Sequence, residues 1–329
     1  MDDQLISLAM TLGDGMVLST DLVALGVTSH QTAAMVTKGA LIKLRRGIYL
    51  PAQLWHVAGP SERYRLSIRA WLMTTSHSPV ISHYSAAAFH GLPMVGSWPG
   101  MVHVSLPGAA GGASASGVVS HTSERPLQVV SMDGVAMTSL IQTLVDIAAT
   151  ATHSVSVPMI DDALRRMPKM VSREALLDEL QLNPPRSGLR AASRAVELSN
   201  SKAANAGESY SRVRMAELGF VLPELQQTFI VRGRRYEVDF WWPEQGIVGE
   251  FDGRQKYERS ELMNGRTSVQ VVWDEKLRED AIRSHSKVSS FARWTWADVR
   301  AAAEFESLLE GARVPRLPLA RARATRPRS

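Results

Sequence analysis

The chain has 329 residues and no cysteine, so disulfides and every thiolate metal site, zinc fingers included, are excluded. Its composition, 45% hydrophobic and 21% charged, is ordinary for a globular protein, and its length fits two or three domains. The first residues lack the pattern of a secretory leader, and no apolar run is long enough to span a bilayer, so we expect a soluble cytoplasmic protein.

The net charge of +5 is unevenly distributed along the chain. Residues 311–329 carry six arginines and no acid, so the rest of the chain sums to about −1. Prolines and the lack of apolar periodicity predict that this segment is an Arg-rich disordered tail. Two interpretations stay open: the tail grips phosphates through charge, or it is solvated and aids solubility.

The predicted elements begin with a helix over residues 4–12 and two further short helices, the second over about residues 30–38. A turn at residues 45–47 then joins two short strands. Two helices followed by a two-stranded wing predict a winged-helix head over residues 1–58. The caps are predicted at Ser19-Thr20-Asp21 and Thr28-Ser29, with Gly26 and Gly39 as stops. The inward face of the second helix is predicted to hold Ala33, Ala34 and Val36.

The head has an acid-free window between Leu22 and Ser61, and its basic residues cluster at the second helix end and around the wing. A winged helix meets the DNA backbone at these places. Short polar residues open the second helix and suit base edges or phosphates. The predicted DNA contacts are Ser29, His30, Gln31, Thr32, Lys38, Lys43, Arg45 and Arg46. The alternative is a helical hairpin for protein contacts with a solvated basic edge.

Residues 59–182 predict an α+β middle domain without a chemical motif. Helices are predicted at residues 64–73, 85–89, 139–150 and 159–166, and strands at residues 102–106 and 117–121. His83 and His90, seven residues apart, would share a helix face, but no third metal ligand is evident. We therefore expect buried histidines with hydrogen-bond partners.

A Pro/Gly-rich break at residues 183–188 introduces the C-terminal part of the chain. Helices are predicted up to residue 198, at 206–218 and at 275–287, and strands at 226–231, 236–242, 247–251, 268–273 and 291–294. A helix, several strands, a helix and a strand predict an α/β domain over residues 189–305.

The strongest signal is a hairpin around the turn Pro243-Glu244-Gln245-Gly246. A symmetric register places Asp239 opposite Glu250 and Glu237 opposite Asp252, so the four acids share one face. Opposed Cβ atoms lie roughly 5 Å apart, and carboxylates at that spacing repel. A divalent cation, Mg²⁺ or Mn²⁺, between Asp239 and Glu250 would reverse the sign of this interaction. The alternative is a surface acid face neutralised by Arg234, Arg235 and Lys256.

Lys256 follows Asp252 by four residues and could reach back over the cation. There it would stabilise charge on a cleaved phosphate or orient a water. The opposite hairpin face is apolar and is expected to pack on a helix; it holds Val238, Phe240, Trp242, Ile247 and Phe251.

The two acid-bearing strings, Val238-Asp239-Phe240 and Gly249-Glu250-Phe251-Asp252-Gly253, resemble the PD-(D/E)xK nuclease superfamily, in the branch of the very-short-patch-repair endonucleases. The resemblance covers about residues 205–300. It implies a restriction-endonuclease-like fold, Mg²⁺ or Mn²⁺ as cofactor, and cleavage of one or both DNA strands. The catalytic residues it implies are Glu208, Asp239, Glu250, Asp252 and Lys256. Asp252 stands where the family has its usual lysine, and Lys256 matches a displaced basic position. The closing basic strand residue would be Arg293, and Trp294 and Trp296 are expected in the core.

The head resembles the N-terminal domain of the AbiEi-type antitoxins of type IV toxin–antitoxin systems, chiefly over residues 39–49. Residues 81–93 are also similar to regions of such proteins. The resemblance implies a transcriptional autorepressor that binds DNA, with a toxin partner or a homodimer as open alternatives. Two functions therefore stay open: a metal-dependent endonuclease positioned by its head, or a repressor whose nuclease-like domain binds DNA without cutting it.

Overall fold

A computed structural model of the protein describes residues 2–13, 15–75, 79–108, 114–115, 117–123, 126–253 and 268–318. The chain is a multidomain α+β protein with mixed sheets, in keeping with the predicted class. It forms two compact units, residues 1–147 with 182–187, and residues 148–181 with 188–329. None of the helices in the described ranges has both the length and the apolar character needed to cross a membrane.

The first unit opens with the three helices and two strands predicted for the head, together with a short strand and a short fourth helix that were not predicted. They are α1 (Asp2–Leu12), β1 (Val17–Leu18), α2 (Ser19–Ala24), α3 (Ser29–Thr37), β2 (Leu41–Arg45), β3 (Ile48–Pro51) and α4 (Ala52–Val57). The strands form an antiparallel sheet in the order β1-β3-β2. Gly26 and Gly39 follow α2 and α3 with φ of 82° and 73°, a backbone conformation that favours glycine, so both helices end where the sequence predicts.

The helix caps agree with prediction at one of the two sites. Thr28 caps α3, and its side chain and that of Gln31 form a reciprocal capping box. The predicted cap at Ser19-Thr20-Asp21 is wrong, because these residues lie inside α2 and Leu18 is its N-cap.

The inward face of α3 agrees with prediction only in part, with Val36 packed against the core as predicted. Thr32 and Met35 are buried, whereas Ala33 is exposed. Met35 packs in a core with Leu22 and Leu41. Burying the larger methionine removes more apolar surface from water than burying an alanine, so Met35 sets the rotation of the helix.

The head shares a core with the helix that follows it. In α5 (Pro60–Leu72), Ala70 and Leu66 pack with Met16 and Ile48 of the head. The boundary predicted between residues 58 and 59 therefore falls inside one compact unit.

The rest of the first unit is built on a six-stranded mixed sheet in the order β6-β7-β5-β4-β9-β8. Its elements are β4 (Val80–Ile81), α6 (His83–Phe89), β5 (Val102–Pro107), β6 (Ser114–Ala115), β7 (Val118–Ser123), β8 (Val129–Met132) and β9 (Val135–Thr138). The predicted strands at residues 102–106 and 117–121 are present and pair in parallel. The β8–β9 hairpin was not predicted, although Asp133-Gly134 is a typical hairpin turn and both residues have positive φ.

The helices that follow β9 in the chain belong mainly to the second unit. They are α7 (Leu140–Thr150), α8 (His153–Arg166), α9 (Arg173–Leu182), α10 (Leu189–Leu198) and α11 (Ala206–Glu217). The predicted middle domain, residues 59–182, does not coincide with this division, which falls after residue 147. A buried ion pair explains the difference: Arg212 Nη1 of α11 lies 3.1 Å from Asp161 Oδ2 of α8.

The second unit contains a four-stranded sheet in the order β10-β11-β12-β13. Its elements are β10 (Glu224–Val231), β11 (Arg234–Trp242), β12 (Ile247–Asp252), α12 (Ser268–Arg283), β13 (Ser290–Thr295), α13 (Trp296–Arg300) and α14 (Ala302–Gly311). The strand predicted at residues 268–273 is wrong, since this segment is the first part of α12. Tertiary context decides here, because α12 makes the crossover between the parallel strands β12 and β13.

The prediction of disorder from residue 311 onward is wrong for the first part of this segment. Val314 is buried, and the Arg316 guanidinium lies 4.5 Å from the centre of the Phe220 ring. Arg316 also pairs with Glu306 and Glu310. These contacts fix the chain up to residue 318, and residues 319–329 lie outside the described part of the chain.

Candidate functional site

The acid-bearing strands β11 and β12 pair in the predicted register. The paired residues are Phe240 with Gly249, Trp241 with Val248, and Trp242 with Ile247. The next position along this register places Asp239 opposite Glu250. The backbone N–H of Phe251 donates to Asp239 Oδ2 at 2.9 Å, which holds the carboxylate against β12.

Glu237, Asp239, Glu250 and Asp252 line the same pocket, as strand alternation predicts. The other lining residues are Gln226, Phe251, Glu275, Arg278 and Arg293. Five carboxyl groups thus share the pocket with two guanidinium groups, so its wall carries more negative than positive groups. An added cation would lower the repulsion among the carboxylates.

Glu250 is the most buried acid of this pocket, with an exposed fraction of 7%. Arg293 Nη2 donates to its Oε2 at 3.0 Å. Arg278 Nη1 lies 2.6 Å from the other oxygen, Oε1, so the carboxylate forms an ion pair on each side. Burial raises the pKa of Glu250, the positive charge of Arg278 opposes that shift, and the charge of Asp239 adds to it.

The apolar residues beside the acids explain how Arg278 reaches the pocket. Trp241 and Val248 lie on the acid-bearing face and pack with Ile282 of α12. This contact lays α12 beside the pocket, where Arg278 donates to the Glu237 carbonyl oxygen at 2.5 Å. Sequence reasoning named Arg293 but missed Arg278, because helical spacing does not show which helix face meets the hairpin.

The opposite hairpin face is apolar, as expected, with one exception. Phe240, Trp242, Ile247 and Phe251 pack in one core with the fully buried Trp294, and Trp296 packs against it. Val238 instead joins the core under α12 with Phe229 and Trp241. Val238 is fully buried, and its core includes Ile282 of α12, so this residue also packs with a helix.

Glu208 lies behind the pocket wall. It is 1% exposed, and its carboxylate accepts hydrogen bonds from Ala204 N at 2.8 Å, Asn205 Nδ2 at 2.6 Å and Gln226 Nε2 at 2.9 Å. Gln226, which lines the pocket, has a φ of 56°, a strained conformation for a residue with a side chain. Glu208 thus orients Gln226 toward the acids, a role that the sequence did not indicate.

The pocket offers carboxylates that could hold Mg²⁺ or Mn²⁺. Among the described residues, no group of three or more His, Asp or Glu side chains has the arrangement of a metal site. Proteins commonly hold Mg²⁺ through one or two carboxylates together with waters and substrate phosphates. Asp239 and Glu250 fit that smaller set, since both line the pocket and the hairpin register places them opposite each other. Asp252 lines the same wall, and Lys256 lies outside the described residues.

The predicted DNA contacts in the head are mostly exposed. Ser29, His30, Gln31, Lys38, Lys43 and Arg46 are exposed. Arg45 is half-buried, and its guanidinium lies beside Gly117. A side chain at position 117 would have its Cβ 3.0 Å from Arg45 Nη1. Thr32 is 6% exposed and its hydroxyl donates to the Thr28 carbonyl oxygen, so this predicted contact is a core position that cannot reach DNA.

A shallow depression runs along the exposed face of α3. It is lined by His30, Ala33, Ala34, Thr37 and Lys38. The predicted DNA contacts did not include Ala33, Ala34 and Thr37. Their spacing of three, four and seven residues from His30 nevertheless places them on the same helix face.

His83 and His90 both have polar partners, as predicted, but only His83 is buried, and His90 is half-buried. His83 is buried beside Ser82 Oγ at 3.0 Å, and His90 Nε2 lies 2.9 Å from the Thr138 carbonyl oxygen. The sequence did not reveal that His83 stacks on His121 with ring centres 3.5 Å apart. His121 Nε2 in turn lies 2.9 Å from His103 Nδ1. Burial lowers the pKa of His103 to about 4, assisted by His121.

This histidine cluster is expected to make the protein less stable in mild acid. The pKa of His103 is lower in the folded than in the unfolded chain, so its contribution is present above pH 6.5 and is lost as the pH falls through about 4. We expect a loss of about 2 kcal/mol that His103→Asn removes. Urea denaturation between pH 7 and pH 4 measures it. The exposed His30→Asn is the control; if both variants keep the wild-type pH dependence, His103 does not contribute.

Comparisons with known proteins leave the family of the chain open. No protein-family model matches it. It is 26% identical over 266 residues to two uncharacterized proteins of Mycobacterium tuberculosis, MT2308 of strain CDC 1551 / Oshkosh and Rv2248 of strain H37Rv. In each case the matched region covers 77% of this chain and 93% of the relative. Among solved structures, it is similar to the RV2827C protein of Mycobacterium tuberculosis, with a TM-score of 0.34, 19% identity, and coverage of 55% of this chain and 71% of that one.

Proposed function

We propose that this protein binds DNA and hydrolyses its phosphodiester bonds with Mg²⁺ or Mn²⁺ in the pocket between Asp239 and Glu250. In this proposal residues 1–58 are a winged-helix head, and the domain around β10–β13 has a restriction-endonuclease-like fold. The observation that carries it is the hairpin register, which brings four acids into one pocket.

The pocket residues divide into three roles under this proposal. Asp239 and Glu250 hold the cation, which when bound polarises the phosphate and makes a water more acidic. Glu208 acts through Gln226, which it positions by a hydrogen bond. Asp252 and Lys256 complete the predicted catalytic set, and Arg293 supplies positive charge beside the scissile phosphate.

A second candidate function is a repressor that binds DNA without cutting it, with a toxin or a second copy of the chain as partner. The observation that favours it is the double contact of Glu250 with Arg278 and Arg293, which neutralises the carboxylate. Supercoiled plasmid incubated with Mg²⁺ or Mn²⁺ separates the two functions. The nuclease nicks or linearises the plasmid, and chelator or Asp239→Asn stops it. An intact plasmid that is nevertheless shifted on a gel supports the repressor.

The head is expected to grip DNA through phosphate contacts from the β2–β3 hairpin. Replacing Lys43, Arg45 and Arg46 by Ala should weaken DNA binding and lower the log–log salt slope by roughly 0.9 for each lost phosphate contact. Binding titrations at several salt concentrations measure the slope. Replacing Arg165, Arg166 and Lys169 by Ala removes the same charge from the second unit and should leave the slope unchanged. Equal effects of the two triple variants would show that the hairpin has no special role.

A further inference from the structure

The two arginines of the acid pocket are held differently. Arg293 lies on β13 directly beside Glu250 in the parallel register, and it also pairs with Glu275 and Glu279. Its guanidinium lies 5.7 Å from the centre of the Phe291 ring. Contacts on several sides therefore fix Arg293 in place as a partner of Glu250 Oε2.

Arg278 contacts the other oxygen of the same carboxylate. Its Nη1 lies 2.6 Å from Glu250 Oε1, so the two side chains form an ion pair at the pocket wall. Its aligned hydrogen bonds go to the Glu237 carbonyl oxygen and to Glu275, three residues earlier on α12. The Arg278 side chain is 29% exposed, about as much as that of Arg293 at 28%, so both guanidinium groups reach solvent at the pocket.

Arg278 and a divalent cation would compete for Glu250 Oε1. Both are positive, and they cannot lie within contact distance of one oxygen without strong repulsion at this degree of burial. A cation between Asp239 and Glu250 would displace the guanidinium from Oε1. The displaced guanidinium would then present its planar set of donors at the pocket opening, where a phosphate is a well-matched partner.

We infer that Arg278 has two positions: it neutralises Glu250 while the pocket lacks a cation, and it binds a DNA phosphate oxygen once a cation takes its place. This inference rests on the proposed function. It assigns Arg278 as a phosphate-binding residue of the pocket. It also means that DNA and the cation favour each other, because the phosphate stabilises the position that Arg278 takes when the cation is bound.

The test measures Mn²⁺ affinity and DNA affinity separately in the full-length protein. Arg278→Gln removes the competing charge, so Mn²⁺ without DNA should bind at least about tenfold more tightly than to wild type. A 20-base-pair duplex in the presence of Mn²⁺ should bind more weakly, with a salt slope lower by roughly 0.9. Arg283→Gln on the same helix, whose arginine pairs with Glu279 outside the pocket wall, should match wild type in both measurements.

Arg278→Lys keeps the charge and serves if the glutamine variant does not fold. It should bind Mn²⁺ within about threefold of wild type yet lose part of its DNA affinity, because lysine lacks the planar fork. Unchanged Mn²⁺ affinity in Arg278→Gln, or an unchanged salt slope, would overturn the inference. If wild type and Arg278→Gln both fail to bind Mn²⁺, the proposed function fails with it. If wild type and Arg278→Gln bind Mn²⁺ with equal, measurable affinity, the inference about Arg278 fails while the proposed function stands.

Discussion

Asp239→Asn is expected to abolish both DNA cleavage and the stabilisation of the protein by Mg²⁺ or Mn²⁺. The loss follows because Asp239 supplies one of the two carboxylates proposed to hold the cation. Binding at a hundredfold excess over Kd stabilises a fold by about 2.7 kcal/mol, so wild type should melt higher with metal than with chelator. In chelator the variant should melt at or above wild type, because the charge of Asp239 adds to the unfavourable charging of buried Glu250.

Melting curves with chelator, Mg²⁺ and Mn²⁺ test this expectation across a small set of variants. Glu250→Gln should behave like Asp239→Asn. Glu244→Gln is the matched control, because Glu244 is exposed in the turn of the same hairpin and is not part of the pocket wall. If metal raises the melting temperature of wild type and of Asp239→Asn equally, the acid face does not bind the cation, and the repressor becomes the better-supported function.

Arg212→Ala is expected to destabilise the protein by about 3–5 kcal/mol, the cost of removing one partner of a buried ion pair. Arg212 and Asp161 have side chains that are 7% and 1% exposed. The guanidinium also donates to the Leu198 carbonyl oxygen at 2.6 Å, so α8, α10 and α11 lose a shared contact. Chemical denaturation near pH 8 measures the loss in the free energy of unfolding.

The destabilisation should depend on pH with a definite sign. Burial raises the pKa of Asp161 to about 6 even with Arg212 present. Without Arg212 the carboxylate is unfavourable at pH 8 and is neutralised by protonation in acid, so the difference between variant and wild type should shrink at pH 5. Arg194→Ala breaks an exposed pair with Glu197 and should cost less than about 1 kcal/mol. A similar loss in both variants would mean that burial of the pair is unimportant.

Local signals were sufficient to predict the hairpin and most of the head. The turn between Trp242 and Ile247 is bounded by proline and glycine, and a register symmetric about this turn brings the acids together on one face. In the head, Gly26 and Gly39 end helices because their backbones adopt positive φ, and Thr28 caps α3 through a short-range hydrogen bond. Each of these features depends on residues close together in the chain.

The features missed from the sequence depend on contacts between distant segments. Arg278 reaches Glu250 because Ile282 packs on Trp241, and nothing in the periodicity of α12 specifies that face. The Arg212–Asp161 pair joins two residues that are 51 positions apart along the chain. The helices that carry them belong to one unit, so the division between the units falls after residue 147 and not at the Pro/Gly break. The run at residues 268–273 alternates like a strand, yet the crossover to β13 makes it helical.

The number of Mn²⁺ ions bound per chain tests the central claim most directly. Electron paramagnetic resonance of free Mn²⁺ during a titration at neutral pH and low salt counts them without depending on cleavage or on melting. We predict one saturable site in wild type, the same site in Glu244→Gln, and its loss in Asp239→Asn and Glu250→Gln. Equal binding by wild type and Asp239→Asn, or no binding by wild type, would contradict a cation site between Asp239 and Glu250.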